Sequence, residues 1–599
     1  MCGIVGIVSD KDISKELLVS MTNALIHRGP DDGGEFIGEG YAFGHRRLSI
    51  VDLSSAGHQP MQYIDKYVIT YNGEIYNYLE LRNELESAGY KFNSNTDTEV
   101  IMASYDYWGV ECLNKFNGMW AFVLYNKVEN NYFISRDRFG VKPLYIYIKN
   151  DLFVFASEPK AILAHTQIEI KPNKKFLLEY IKNGAQEFIA ETAFSDIYRF
   201  PRSSYFVGGA KEIFDNFSTH KFWTLNPNLS TAKFCSKKAE VLATQYYNLL
   251  SDAVRLRLRA DVKVGSALSG GLDSSSIVYL VNQHLKEHGE EAKQETFSSV
   301  YKTKGTEDCD ESEFINLMAN ELKVKSNQIE PLEKNIPDEH SKMIWSMDNP
   351  PEGTCMSGWH TFKKVSESKV KVTLDGQGAD EQLAGYLLYI STYLTSLSIY
   401  DFYKEFRYFL KIPGARKFVY RAYLMNHFKL IFGRKALIYF VERLLGKTIQ
   451  LDLNSVLEAS INNNLVNLLN YADRLSMGNS IESRMPFMDY RLVEFLASIP
   501  ACYKMHNGWT KYIARLAFNN KLPDKICWRV DKMGWPEPEK KWFEGGLEQW
   551  VKISIGNSGM LDSLISSNEK NTDNLNVKIR LLNVAVFSKI FFKKNESVR

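Results

Sequence analysis

The spacing of apolar residues changes once along this chain, between about residue 210 and residue 236. Before that point short apolar runs alternate with turn residues, as at 67–71 and 120–125. This pattern predicts antiparallel strands, and helical stretches near 75–89 and 98–108 make the section α+β. Afterwards, long amphipathic helices, beginning with 237–259, alternate with short apolar strands at 262–266 and 370–374. That alternation predicts an α/β domain with a parallel sheet.

The chain therefore divides into two large domains, because 599 residues are too many for one core. We expect a first domain over 1–212 and a second over 236–599, with a linker near 226–230 and a helical insertion at about 390–465. Residues 398–447 are crowded with Tyr and Phe and carry eleven basic residues against three acidic ones, a net charge of +8. They indicate either a helix pair that binds a membrane surface or a partner, or an insertion whose aromatic side packs inward.

The overall charge favours no large charged partner. With 73 basic and 71 acidic residues the net charge is +2, which gives no global electrostatic reason to bind nucleic acid or a membrane. Seven cysteines lie far apart, so neither a zinc site nor a disulfide framework is indicated. We expect no membrane span, no signal peptide and a cytoplasmic location.

Cys2 is the first candidate catalytic residue. Removal of Met1 would leave a thiol and a free α-amine on one residue, and the amine, with a pKa of about 7.7 to 8.0, can accept the thiol proton. The run Gly-Ile-Val-Gly-Ile-Val that follows it predicts a buried strand, which would hold this chain end in a folded core.

Several polar residues near this strand suit an amino-acid substrate. Arg47 can grip a carboxylate, and Asn72 and Gly73, read as a turn, offer N–H groups to an oxyanion. Glu74 and Asp97 can hold an ammonium group. Each also has a purely structural interpretation: Arg47 as a surface charge, Asn-Gly as a turn and Asp97 as a helix cap.

A second candidate site begins at the end of the strand 262–266. The segment Leu268-Ser-Gly-Gly-Leu-Asp-Ser-Ser275 combines glycines, hydroxyls and a following helix, which together cradle phosphate, and Asp273 suits Mg²⁺. It lacks the Gly-Lys-Ser/Thr ending of a Walker A loop. An acidic cluster, Leu374-Asp-Gly-Gln-Gly-Ala-Asp-Glu381, follows another strand, where open α/β sheets bind ligands.

Motifs along the first 145 residues resemble, in order, the glutaminase domain of asparagine synthetases, a class II glutamine amidotransferase with the N-terminal-nucleophile fold. The matching segments are 1–6, 27–31, 47–52, 71–77, 97–99, 116–122 and 135–145. The resemblance implies that Cys2 attacks the glutamine amide while Asn72 and Gly73 bind the oxyanion. It also implies a glutamine clamp made of Arg47, Leu48, Ser49, Ile50, Val51, Asn72, Gly73, Glu74 and Asp97.

The segments 268–275, 374–381, 472–477, 481–489 and 528–535 resemble the synthetase domain of the same family, whose PP-loop enzymes split ATP into AMP and pyrophosphate. The resemblance implies Mg²⁺ at Asp273 and Asp380 and a homodimer with an internal ammonia tunnel. It gives Lys532 a catalytic role, facing the phosphates or the acyl-adenylate. The implied ATP-binding residues are Leu268, Ser269, Gly270, Gly271, Asp273, Ser274, Ser299, Val300, Asp375 and Gly376.

The family pattern is broken at Gln377, where the familiar asparagine synthetases have Glu as a base for the attacking nitrogen. An amide cannot serve as that base, so Glu381 or a phosphate oxygen would replace it. We expect a glutamine-dependent asparagine synthetase. Two alternatives are an enzyme of the same architecture acting on another carboxylate, such as a uronic acid in surface-polysaccharide synthesis, and a non-catalytic scaffold.

Overall fold

The fold of the first domain is built on two antiparallel sheets. A computed structural model describes residues 2–230, 232–290, 293–445, 450–531 and 536–592. In the first sheet the central strand Gly3–Ser9 is buried along its whole length, as its β-branched sequence predicts. The strands of this sheet are Gly3–Ser9, Asp32–Gly38, Tyr41–Arg47, Tyr145–Lys149, Leu152–Ala156 and Tyr198–Arg199. Those of the second are Met61–Tyr63, Tyr67–Ile75, Gly118–Asn126, Asn131–Arg136, Ser204–Gly208 and His220–Lys221.

The two sheets pack face to face and helices cover their outer faces. Ile4 and Phe43 of the first sheet share a core with Val68 and Val123 of the second. This confirms the predicted α+β sandwich, and the second sheet continues past residue 212 to Lys221. The helices of this domain are Lys15–Asn23, Tyr78–Ser87, Asp97–Trp108, Cys112–Lys115, Pro159–Leu163, Lys174–Asn183 and Ala210–Asn216.

The predicted turn at Asn72 and Gly73 is wrong. Both residues lie inside the strand Tyr67–Ile75, where Asn72 pairs with Ala121 and Gly73 with Trp120. The two strands approach so closely that a Cβ added to Gly73 would lie 2.2 Å from the Met119 carbonyl oxygen. Glycine is therefore present because of close backbone packing, and the Asn72 side chain is fixed by a sheet instead of a loop.

The second domain contains the predicted parallel sheet, with strand order Lys325–Ile329, Glu295–Ser299, Lys263–Ala267, Val370–Leu374, Glu482–Arg484. Its first helices are Ser236–Arg257, Leu272–Glu287, Ser312–Leu322, Ile336–Met347, Met356–Ser366 and Ala379–Leu383. The helices of the insertion are Leu388–Ser396, Ile399–Phe409, Arg416–Phe432, Arg434–Leu445 and Leu453–Asn462. The remaining helices are Asn464–Met477, Tyr490–Ser498, Tyr512–Phe518, Asp524–Cys527, Glu539–Glu544, Glu548–Gly556, Gly559–Asp562, Ser567–Lys570 and Leu575–Phe591.

The two domains share a buried apolar core. Leu48, Ile50 and Met119 of the first domain pack in one apolar cluster with Val254 and Phe487 of the second. This shared core joins the segment that follows strand Tyr41–Arg47 to the second domain. None of the described helices has both the length and the apolar character needed to cross a bilayer.

Candidate active sites

Cys2 is held in place by its own backbone. Its N–H donates to the Asn72 Oδ1 atom at 3.0 Å, and its carbonyl accepts a hydrogen bond from Arg28 Nε at 3.0 Å. Burial raises the pKa of the thiol, a change that the N–H of Leu48 opposes. A buried thiol with a raised pKa needs a neighbouring base before it becomes a nucleophile.

Asn72 presents a free donor beside this thiol. Because its Oδ1 accepts from Cys2, the amide is turned so that Nδ2 faces away from that bond. This Nδ2 is buried and has no hydrogen-bond partner among the described residues. Buried N–H groups are nearly always paired, so an unpaired one next to a nucleophile suits an oxygen that becomes negative during reaction.

Arg47 brings a positive charge to the cavity that Cys2 also lines. It ends the strand Tyr41–Arg47, and Arg46 pairs with Gly3, so Arg47 lies next to Cys2. Its guanidinium donates to the carbonyl oxygens of Ser54, at 2.9 Å, Val51 and Asp52. No described carboxylate forms an ion pair with it, so the cavity keeps a buried cation suited to a substrate carboxylate.

Two carboxylates stand on another wall of the cavity. Asp97 accepts from the Tyr71 hydroxyl at 2.7 Å and from the Ile75 N–H at 2.8 Å, and burial raises its pKa to about 6. Burial and the Asp97 charge raise the pKa of Glu74 well above its ordinary value. Glu74 also lies 3.5 Å from Arg484 of the second domain. Two buried carboxylates with raised pKa values favour a cationic ligand between them.

Most of the predicted glutamine clamp therefore meets in one cavity. Ser49 and Asn72 are the exceptions, since neither lines the cavity. The Ser49 N–H donates to Asp31 at 2.8 Å, whereas Asn72 contacts the site through its hydrogen bond with Cys2. Residues that the sequence did not predict also line it, among them Gln59, Tyr71, Thr98 and Glu482. Of these four, Tyr71, Thr98 and Glu482 lie in segments with a recognised motif, whereas Gln59 does not. The predicted residues in the lining are Cys2, Arg47, Leu48, Ile50, Val51, Gly73, Glu74 and Asp97.

The second site lies at the carboxyl ends of three neighbouring parallel strands. Leu268 follows Lys263–Ala267, Ser299 ends its own strand and Asp375 follows Val370–Leu374. The edge formed by such strand ends is where open α/β sheets bind nucleotides. The buried Val300 comes next after Ser299, and its N–H donates to Ile329 at 2.9 Å.

The glycine-rich segment forms a tight turn before a helix. Gly270 has a φ of +73°, and a Cβ there would lie 2.6 Å from Phe314 Cβ, so glycine is required. Gly271 caps the helix Leu272–Glu287, and Ser274 Oγ accepts from the Ser269 N–H at 3.2 Å. Gly376 adjoins this turn, since a Cβ there would lie 3.2 Å from the Ser274 nitrogen. The predicted nucleotide residues are thus brought together at a helix N-terminus, which attracts phosphate.

The two predicted metal ligands converge on one cation. Lys511 Nζ lies 2.6 Å from Asp273 Oδ2 and 2.5 Å from Asp380 Oδ1. Sequence reasoning missed Lys511, for which no motif was recognised. Two carboxylates that point at a shared cation fit Mg²⁺, which proteins commonly bind through one or two carboxylates together with substrate phosphates.

A cavity of about 380 Å³ opens beside this pair and is lined by Asp380, Lys511, Tyr386 and Arg515. Glu381 does not line it but accepts from the Tyr386 hydroxyl at 2.7 Å, and burial together with Asp380 raises the pKa of Glu381. Burial also raises the pKa of Asp375, to about 6. The predicted Lys532 lies outside the described residues.

Comparison with known proteins agrees with this geometry. A family model described as glutamine amidotransferase domain matches residues 1–223, and one described as asparagine synthase matches residues 245–591. Glutamine-hydrolyzing asparagine synthetase 1 of Bacillus subtilis is 31% identical to this chain, over 93% of the chain and 90% of its own length. Asparagine synthetase 3 of the same organism is also 31% identical, over 92% of the chain and 89% of its own length. A Gibberella zeae protein named amidase chry2 is 26% identical over 92% of this chain and 90% of its own length.

The fold, the cavity at Cys2 and the strand-end nucleotide site define a glutamine amidotransferase domain joined to an ATP-using ligase domain. The chain belongs to the family of glutamine-hydrolysing asparagine synthetases.

Proposed function

We propose that the first domain hydrolyses glutamine at Cys2. The observation that carries this proposal is the pairing of Cys2 with Asn72, which leaves Asn72 Nδ2 buried and unpaired beside the thiol. After removal of Met1, the α-amine takes the thiol proton and the sulfur attacks the side-chain amide carbon of glutamine. Asn72 Nδ2 and the Gly73 N–H donate to the resulting oxyanion. The α-ammonium gives its proton to the leaving nitrogen as the C–N bond breaks, so ammonia leaves. Water then hydrolyses the thioester, which releases glutamate and restores the Cys2 thiol.

The remaining residues of the cavity orient glutamine. Arg47 binds its α-carboxylate, and Asp97 with Glu74 binds its ammonium group, because the charges are complementary and buried. Leu48, Ile50 and Val51 form the wall between them. This arrangement selects an α-amino acid with a side-chain amide of the length of glutamine.

We further propose that the second domain activates a carboxylate with ATP. A carboxylate oxygen attacks the α-phosphorus, pyrophosphate leaves, and an acyl-AMP forms. We assign the nucleotide to Leu268, Ser269, Gly270, Gly271, Asp273, Ser274, Ser299, Val300, Asp375 and Gly376. The family resemblance alone assigns Lys532 to neutralise the phosphates. Asp273 and Asp380 would hold Mg²⁺, which supplies positive charge against the phosphate oxygens when bound. Lys511, which forms ion pairs with both carboxylates, adds a further positive charge at this place.

The two reactions are joined by ammonia, which attacks the acyl carbon and expels AMP. A short strand lies between the two sites and supports an internal path for ammonia. In this strand, Glu482–Arg484, Glu482 lines the glutamine cavity and Arg484 contacts Glu74, while Ser483 donates to Asp375 at the nucleotide site. An internal path keeps ammonia from the protonation that bulk water at neutral pH would cause.

We propose aspartate as the acceptor carboxylate, following the family. One observation favours a second candidate, a uronic acid or another carboxylate: Gln377 cannot act as the base that the family pattern supplies. Glu381 can take that role through Tyr386, because the two are hydrogen-bonded and Tyr386 lines the cavity. The fungal relative named as an amidase supports acceptor variety within this architecture.

We also propose a cytoplasmic homodimer. All seven cysteines are unpaired, which is the usual state in a reducing compartment. The dimer follows from the family alone and is tested by the molar mass of the purified chain in solution.

Ammonia release by a Cys2→Ala variant tests the first reaction. We expect glutaminase activity to fall by at least about 10³-fold, because the nucleophile is gone. Product formation with ammonium salts in place of glutamine should persist, since the second site is intact. Replacement of the exposed Cys235 by Ala is the matched control and should leave both activities unchanged. Equal ammonia release by the wild type and Cys2→Ala would mean that Cys2 is not the nucleophile, as expected of a scaffold.

The acceptor is tested by pyrophosphate release with ATP, Mg²⁺, glutamine and single candidate acids. We expect aspartate to support turnover and to yield asparagine. Turnover with a uronic acid but not with aspartate would replace the first proposal by the second. A Gln377→Glu variant is informative in either case, because it restores the carboxylate that the family pattern has at this position.

A further inference from the structure

The helical insertion carries a basic surface that no described acidic residue neutralises. Nine of its basic side chains are exposed over 398–445, among them Arg416, Lys417, Arg421, Arg434 and Lys435, whereas none of its acidic side chains is exposed. None of these nine forms an ion pair with a described acidic residue. The surface is therefore a concentrated positive patch on a chain whose overall charge is only +2.

The same segment exposes an unusual number of large apolar side chains. Among the described residues 29 such side chains are exposed, and twelve of them lie in 398–445, which is less than a tenth of the chain. Tyr400 is 79% exposed, Leu424 69%, Ile431 71% and Leu444 72%. Scattered single residues of this kind are ordinary, but such a concentration marks an interaction surface.

The exposed groups are arranged in a continuous unit. On the helix Arg416–Phe432, Tyr420, Leu424 and Ile431 fall on one side by their helical spacing, and Lys417 and Arg421 flank them. The helix Arg434–Leu445 packs alongside, with the Phe428 and Phe440 rings stacked at 5.1 Å. The helix Ile399–Phe409 is joined to the same group by a hydrogen bond of 3.2 Å between Tyr403 and His427.

Part of the insertion does pack inward. Phe402, Phe409 and Val419 are buried in a separate apolar cluster with Tyr389 and Leu453. The exposed apolar residues are thus additional to a complete small core. They are not needed to hold the insertion to the rest of the domain, which leaves them available for a partner.

We propose that this insertion binds the surface of an anionic lipid bilayer. Exposed basic residues are attracted to anionic headgroups, and neighbouring Leu, Ile and Phe side chains enter the boundary of the acyl region. Tyrosines, which are abundant here, favour that boundary. Aliphatic side chains gain little from stacking on bases, which disfavours nucleic acid, and a second copy of the chain would be repelled by the like charge. The helices lie on the bilayer and do not span it.

Docking would bring one of the two sites towards the lipid surface. Ile412, Pro413 and Gly414 of the same insertion line the cavity that also contains Asp380 and Lys511. The docked segment and the proposed ligase site therefore share a wall. Glutamine hydrolysis at Cys2 takes place in the other domain and should not depend on lipid.

Vesicle flotation with the full-length chain tests the proposal. We expect association with vesicles that contain phosphatidylglycerol, weak association with pure phosphatidylcholine, and loss of binding as salt is raised. A variant with Arg416, Lys417, Arg434 and Lys435 replaced by Gln should bind on the order of several hundred times more weakly. The matched control replaces the exposed residues Lys174, Lys175, Lys211 and Lys237 by Gln and should bind as the wild type does.

The apolar component is tested by a Leu424→Ser, Ile431→Ser variant, which should also lose vesicle binding. Glutaminase activity reports folding in every variant and should stay unchanged, because the altered side chains are exposed and distant in sequence from Cys2. Failure of the wild type to bind phosphatidylglycerol vesicles at low salt would overturn the proposal. Equal losses in the matched control, or duplex DNA binding as strong as vesicle binding and insensitive to the apolar substitutions, would also overturn it.

Discussion

At the scale of single residues, the proposed chemistry of the first site depends on how the Asn72 side-chain amide is oriented. The backbone of Cys2 fixes the oxygen of the Asn72 amide, so the nitrogen of that amide is the one left for substrate. An amide that is held by one end has a single available orientation, which is what preorganised stabilisation of an oxyanion requires. The raised pKa of the Cys2 thiol makes the α-amine, and hence the removal of Met1, essential to the proposed reaction.

Asp97 predicts a pH dependence of glutamine binding. Burial raises its pKa to about 6, so the carboxylate is charged above that pH and neutral below it. We expect the KM for glutamine to rise as the pH falls below about 6, because the neutral acid no longer attracts the substrate ammonium. Steady-state glutaminase assays across this range measure the effect. An Asp97→Asn variant should show a high KM with little pH dependence here, and an unchanged profile in that variant would contradict the assignment.

At the scale of elements, the strand Tyr67–Ile75 determines where the proposed oxyanion donors, Asn72 and Gly73, lie. A Gly73→Ala substitution should destabilise the protein by about 1 to 3 kcal/mol, because the new methyl group would meet the Met119 carbonyl. Glutaminase activity should fall further than stability alone explains, since the Asn72 amide moves with the strand. Chemical denaturation and ammonia release measure the two effects. Gly556→Ala, where a Cβ meets no neighbouring atom within 4 Å, is the control. It should not lower stability, because alanine is favoured over glycine in a helix, and it should leave activity unchanged.

At the scale of the whole molecule, a buried ionic cluster joins the domains. Arg28 Nη1 lies 2.8 Å from Glu158 Oε1 and 3.0 Å from Asp473 Oδ2, which belongs to the second domain, while Arg28 Nε holds the Cys2 carbonyl. Arg474 contacts the same Glu158 oxygen at 2.7 Å. One arginine therefore connects Cys2, the first domain and the second domain.

Replacement of Arg28 by Met should lower the free energy of unfolding by about 3 to 5 kcal/mol, because it leaves buried carboxylates with less compensation. It should also slow glutamine hydrolysis, since the Cys2 carbonyl loses its donor. Urea denaturation and glutaminase assays measure both. Arg255→Met is the control: Arg255 pairs with Asp252 at 2.7 Å on the surface, and its loss should cost less than about 1 kcal/mol. Similar destabilisation in both variants would show that the buried cluster contributes no more to the free energy of unfolding than the surface pair does.

Much of the fold and of the sites was predictable from local patterns. The strand after Cys2, the helix predicted at 237–259 and found at Ser236–Arg257, and the strand Val370–Leu374 follow from apolar spacing and side-chain shape. Asp97 and Asp273 lie in short motifs, so residue type and spacing along the chain were enough to single them out. The turn assigned to Asn72 and Gly73 was wrong because a close neighbouring strand, invisible to local reasoning, requires the glycine.

The amino-acid sequence by itself determined the two domain classes, the proposed nucleophile and the proposed phosphate-binding turn, because each depends on residues that are close along the chain. Only the tertiary structure decided which distant groups share a site. It placed Glu482 and Gln59 beside Cys2, Lys511 between Asp273 and Asp380, and twelve apolar residues of the insertion on the outside. These outcomes depend on the packing of segments far apart in sequence and on burial, and neither has a local signature.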